Sequence, residues 1–205
     1  RAQTLRDVLS ELYAQLDDEP DFASMIDTLG YGRDDRRLLD LAERSYDVMR
    51  CKVDPAAWMA DCLHAYALPE GIAAEQTLWG AYYIKARSDA LASADAMLAQ
   101  AEALCLREEA LEKKCLPLLQ KNRETVRTLM AETTWDGCVE AGLPSFGVMR
   151  MPKDAENAEQ IQTLRNEAKQ MLKIVQSYFY APSEQVVEDL RKTVPALRGL
   201  LALLR

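Results

Sequence analysis

"QTLWGAYYIKARSDALASADAMLAQAEALCLREEALEKK", residues 76–114, carries no proline and one glycine. Leu91, Ala94, Leu98, Ala101 and Cys105 step along it by three and four, and Met97, Leu104 and Leu111 lie seven apart. That is the period of one helix face, and it excludes the alternation of a half-buried strand. The spacing predicts a helix over 84–114, a rod of roughly 45 Å. Pro117 then fits the first turn of a following helix, which would make the pair a helical hairpin.

The same period recurs on both sides. Leu5, Val8, Leu9, Leu12 and Leu16 follow a helical beat at the start of the chain. Leu38, Leu39, Leu41, Ala42, Tyr46 and Met49 fit one face, with Asp34 or Asp35 as a plausible N-cap. In "DPAAWMADCLHAY" Asp54 is placed as N-cap and Pro55 as first helical residue, with Trp58 expected in the core. Ile161, Leu164, Ala168, Met171, Val175 and Tyr178 predict a second long helix over 154–180, suited to shallow-angle packing on a neighbour. Residues 133–153 hold three of the eight glycines and are expected to be an irregular connection. No strand and no internal repeat is apparent. The expected fold is all-α: one elongated domain over 1–205, with shorter helices packed around two long ones.

Composition narrows the function. The apolar content of 49% is that of a globular chain. The longest apolar run, Leu200–Leu204, is far short of the ~20 residues that cross a bilayer, and no signal-peptide pattern opens the chain. Five cysteines without a CxxC spacing read as reduced thiols of a cytoplasmic protein. A single histidine, His64, excludes a di-metal bundle with paired Glu-x-x-His motifs and leaves serine or cysteine nucleophiles without a second imidazole base. Its ordinary reading is a half-buried histidine beside Trp58 and Tyr66, since Cys62 and His64 lie on different sides of a helix. "GYGRDD" at 30–35 lacks the third glycine and the lysine of a phosphate loop and reads as a turn. "DDEPD" at 17–21 lacks calcium-loop spacing and reads as a helix end, with Pro20 starting the next helix.

The net charge of −8 opposes a generic nucleic-acid surface, but it is unevenly spread. Residues 1–50 hold 7 basic and 12 acidic side chains, whereas 151–205 hold 8 and 7. The most basic stretch, "EKKCLPLLQKNRETVR" at 112–127, contains Lys113, Lys114, Lys121, Arg123 and Arg127, and the last two share a helix face. A second cluster is Arg33, Arg36 and Arg37, with Asp34 and Asp35 beside it. Both clusters are candidate phosphate contacts; a solvated helix face is the alternative.

Two stretches carry a resemblance. "YAQLDDEPDFASMIDTLGYGRDDRRLLDLAERSYDVMRCKVDPAAWM", residues 13–59, has an acidic linker, a short helix, an Arg-Asp loop and a helix ending before Asp-Pro and a tryptophan. "YFYAPSEQVVEDLRKTVPALRGLLALL", residues 178–204, has an aromatic cluster, a serine and glutamate, then Asp-Leu, a proline and spaced leucines. Both resemble the AddA subunit family of bacterial ATP-dependent helicase–nucleases, and the middle of the chain agrees in layout. The resemblance implies a helical insertion, the accessory 1B subdomain, within the first motor domain of a superfamily 1 helicase. It implies an ATP-binding GxxxxGK[ST] loop before this segment and a magnesium-binding Asp-Glu box after it, so that the uncapped last helix runs on. The implied parent uses ATP and Mg2+, and in a distant nuclease domain an iron–sulfur cluster that the cysteines here do not match. It would unwind and degrade DNA from double-strand ends before recombinational repair, in the bacterial cytoplasm at the nucleoid. Its partners would be a duplex end and the second subunit of a heterodimer. No catalytic, cofactor-binding or metal residue carries over to this chain. The alternative is a free-standing helical adaptor that binds another protein.

Overall fold

The computed structural model describes residues 2–16, 18–30, 36–152 and 154–204, and among the described residues regular structure is helical throughout, with no strand. The chain packs into two compact units, one from residues 1–72 with 187–205 and the other from residues 73–186.

In the first unit, α1 (Ala2–Ala14), α2 (Pro20–Leu29), α3 (Arg36–Arg50), α4 (Pro55–His64) and α10 (Val194–Leu203) surround two clusters. Leu9, Phe22, Met25, Leu38, Ala42, Ala196 and Leu200 form one. Met49, Met59, Leu201 and Leu204 form the other, with Trp58 and Cys62 against it. Pro20 opens α2 as the sequence predicts, because its missing N–H is an orphan at that position anyway. Asp54 caps α4, its carboxylate accepting from the Ala57 amide at 2.9 Å. The N-cap expected at Asp34 or Asp35, the turn at 30–35 and Arg33 lie outside the described residues, apart from Gly30. Against α2, a side chain at Gly199 would place its Cβ 2.4 Å from the Asp21 carbonyl oxygen, so α10 approaches closely enough to require glycine. Arg198 Nε beside it pairs with Asp21 at 3.1 Å.

Two expectations fail here. Trp58 is half-buried, its ring under Lys52 Nζ at 5.9 Å, and Met59 next to it takes the core position. His64 is exposed at the last residue of its helix rather than half-buried.

In the second unit, α5 (Leu78–Cys105), α6 (Glu109–Leu129) and α8 (Ala158–Gln176) pack side by side over Leu91, Ala94, Leu98, Leu111, Leu119, Val126, Ile161 and Leu172. The sequence predicts one rod over 84–114; the structure ends it at Cys105 and restarts at Glu109. The residues between, Leu106, Arg107 and Glu108, include no proline or glycine. The Glu108 carboxylate is engaged elsewhere, accepting from the Glu156 amide (3.1 Å), the Asn157 amide (3.0 Å) and Asn157 Nδ2 (2.7 Å), where α8 begins. These bonds hold the Glu108 carboxyl below its usual range. Pro117 is not the restart but lies inside α6, where it removes one helical hydrogen bond without ending the helix. The helical hairpin therefore exists, but its turn is at 106–108.

The second long helix runs over 158–176, shorter than the predicted 154–180, and its buried face is Ile161, Arg165, Ala168 and Leu172. The irregular connection at 133–153 contains a short helix, α7 (Trp135–Ala141); residues 142–152 have neither helix nor strand. Trp135, not Trp58, is the fully buried tryptophan. Its indole Nε1 donates to the Ala181 carbonyl at 2.9 Å and its ring packs against Phe179, centroids 4.6 Å apart and planes tilted by 46°. Where the chain enters this unit, Thr77 caps α5, its hydroxyl oxygen accepting from the Gly80 amide at 2.9 Å. Where the chain leaves, α9 (Ser183–Lys192) starts, and the Ser183 amide donates to Asp136 Oδ1 at 2.7 Å.

Candidate nucleic-acid interface

The described residues offer little for catalysis. They contain no group of three or more His, Cys, Asp or Glu that could hold a metal ion. All five cysteines are free: Cys105, Cys115 and Cys138 are buried, Cys62 is half-buried and Cys51 exposed. Burial, reinforced by Cys115 and Glu102, pushes the Cys105 thiol up to about 11, the reverse of what a nucleophile needs.

Of the predicted basic cluster, five side chains sit on α6, and their surroundings separate them. Arg123 is drawn onto α5: its Nε donates to Asp95 Oδ1 at 2.8 Å and its Nη1 to Glu102 at 2.7 Å. Arg127 Nε reaches the same Asp95 oxygen at 2.8 Å. Their shared face is thus the hairpin's own seam. The hydrogen bond from Arg123 depresses the Asp95 carboxyl against a smaller burial effect, with Arg127 adding to the depression. Lys113 pairs with Glu109 one turn earlier, an exposed contact of small value. Lys114 and Lys121 are exposed. In the second cluster Arg36 and Arg37 open α3 and are exposed, and each has an interaction partner.

Sequence reasoning missed the two buried arginines of this unit, because a guanidinium on an apolar face has no periodic signature. Arg87 Nη1 donates to the Leu129 and Glu132 carbonyls, at 3.1 and 3.3 Å, satisfying the end of α6, with Phe179 5.9 Å from its guanidinium. Arg165 Nη2 donates to the Gly147 carbonyl, and its guanidinium lies 5.5 Å from the Phe146 ring. Burial lowers the Arg165 pKa, and its Nε has no partner.

Among the described residues no helix is long and apolar enough to cross a membrane. No family model matches the chain. Curated proteins do match it. It is 28% identical over 212 residues to the A subunit of the ATP-dependent helicase/nuclease of Pelotomaculum thermopropionicum, covering 98% of this chain and 16% of that protein. The corresponding protein of Desulforamulus reducens is 27% identical, with 98% and 17% covered. That of Ruminiclostridium cellulolyticum is 22% identical, with 97% and 16% covered. The chain thus spans about a sixth of the length of these relatives. Along almost all of its own length, it is similar to one segment of the A subunits of ATP-dependent helicase/nucleases, the family that its two terminal stretches resemble.

Proposed function

We propose that this chain is an accessory, DNA-guiding subdomain of a larger helicase–nuclease protein, which unwinds and degrades DNA at double-strand ends before recombinational repair. The observation that carries the reading is the coverage: nearly the whole chain aligns to about a sixth of proteins named as helicase/nuclease A subunits. ATP and Mg2+ would be used outside this segment, which works mechanically, beside the motor and against the other half of a heterodimer. An accessory surface that guides duplex must contact phosphates through local cations, because the chain as a whole carries −8. Lys114 and Lys121 are exposed and outside any salt bridge among the described residues, Lys113 and Arg127 are exposed but ion-paired, and Arg36 and Arg37 form the second set.

The test uses the full-length protein with a duplex end carrying photoreactive nucleotides. Cross-links are expected within this segment while ATP hydrolysis on single strands proceeds. Cross-links confined to other parts of the protein would refute the DNA role and favour the adaptor reading.

A further inference from the structure

Residues 142–152 cross the helices of the second unit as a strap. Phe146 is buried in the core, with Met149 and Met151 packed against it, and Met151 Sδ lies 3.7 Å from Cys115 Sγ of α6. A Cβ on Gly147 would come within 3.2 Å of the Leu118 side chain, so the strap also runs over that flank of α6. On the other side, Arg165 of α8 reaches up to the Gly147 carbonyl. Among the described residues, that is the one hydrogen bond made to the main chain of 143–152. Its other main-chain polar groups have no hydrogen-bond partner among the described residues.

Exposed cations stand on the strap and on both flanking helices, while the exposed carboxylates Glu140 and Asp154 lie at its two ends. Leu118 stands four residues after Lys114 and three before Lys121, so both lysines border the strap's track on α6. Arg150 is exposed on the strap itself, between Gly147 and Met151. Lys169 is exposed on α8, one turn beyond Arg165 on the same flank. None of these four cations enters a salt bridge among the described residues. Arg165, 8% exposed and bonded to the strap's Gly147 carbonyl, has no carboxylate partner among the described residues and an unpaired Nε. The Gly147 carbonyl and the Phe146 ring hold this guanidinium, which adds a positive charge under the strap.

We infer that the strap, with Lys114, Lys121, Arg150 and Lys169 around it and Arg165 beneath, is a binding track for the phosphates of a nucleic-acid backbone. The inference rests on the DNA-guiding reading and sharpens it. Contact lies along the strap side of α6, not on the hairpin seam where Arg123 and Arg127 are already paired. Main-chain amides of the strap without a partner among the described residues can donate to phosphate as the cations do.

The experiment measures binding of the 205-residue chain to a fluorescent blunt duplex by anisotropy, over a salt series starting at low ionic strength. Lys114→Gln, Lys121→Gln and Arg150→Gln should each weaken binding and flatten the log–log salt slope by about one. Arg44→Gln, in the other unit, should change neither. Helicity and melting temperature provide the folding control, since all the substituted side chains are exposed. If the duplex binds and the strap variants leave the slope unchanged, the track is wrong and the DNA-guiding reading stands. If the wild-type chain shows no binding even at low ionic strength, the track is wrong, and the cross-linking experiment decides the reading separately.

Discussion

The Ala74 amide donates to the Ser183 hydroxyl at 2.7 Å across 109 residues of chain. Both groups are buried, and they join the point where the chain enters the second unit to the point where it leaves. The bonds from Trp135 Nε1 to Ala181 and from the Ser183 amide to Asp136 fasten the same place from the side of α7. Ser183→Ala leaves the Ala74 amide without its acceptor, a buried donor that should cost about 1–3 kcal/mol. Urea denaturation measures the loss, and faster hydrogen exchange at Ala74 should accompany it. Unchanged exchange at Ala74 would show that the bond does not hold the junction.

Trp135→Ala should cost about 3–5 kcal/mol, since it empties a fully buried site and frees the Ala181 carbonyl. Trp58→Ala should cost clearly less, because part of that ring already meets water. Comparing the two melting temperatures decides the ranking; a larger drop for Trp58 would reverse it.

Gly80→Ala would ordinarily strengthen a helix by ~1 kcal/mol. Here the added Cβ would lie 1.7 Å from the Ala74 carbonyl oxygen, which belongs to rigid backbone. The sign should invert, and the variant should melt below the wild type. A stabilised variant would mean that the turn at Ala74–Gln76 moves freely.

The pair Arg123 and Asp95, each about one-fifth exposed, should couple by about 0.5–3 kcal/mol in a double-mutant cycle. The depressed Asp95 carboxyl also has a pH signature. Its contribution is full above the unfolded value of about 3.9 and is lost as the pH falls through the lower folded value. Asp95→Asn should therefore be less stable at neutral pH and show a shallower acid limb. Parallel acid limbs for variant and wild type would exclude the pairing as its cause.

Glu108→Ala should loosen the start of α8 while leaving the hydrophobic core intact, because three donors at Glu156 and Asn157 lose one carboxylate. Hydrogen exchange at 156–161 should rise while that of Leu98 and Leu119 stays slow. Unchanged protection at the α8 start would show that water replaces the cap without loss.

The helical class was readable because amphipathic spacing is a local property: Leu91, Ala94, Leu98 and Ala101 sit at 0–2% exposure where the period placed them. The errors lie where distant residues decide. The break after Cys105 coincides with a carboxylate, Glu108, engaged with Asn157 49 residues on, and Pro117 stays inside a helix packed on α5 despite one lost hydrogen bond. Trp58, expected in the core, is half-buried while Trp135 is fully buried, since burial of a large ring depends on what the rest of the chain brings to it. The basic stretch was legible as composition, but the division of its cations was not. Asp95 and Glu102, 21 or more residues before the arginines they hold, carry no motif that announces the pairing.

The junction at Ala74 and Ser183 has a consequence for protein engineering. A segment whose two ends meet at hydrogen-bonding distance can be spliced into a surface turn of an unrelated host without stretching either scaffold. Residues 73–186 should thus behave as a transplantable cassette, carrying hairpin, strap and α8 together. Such a chimera would present the hairpin and strap surface on a carrier of the experimenter's choosing.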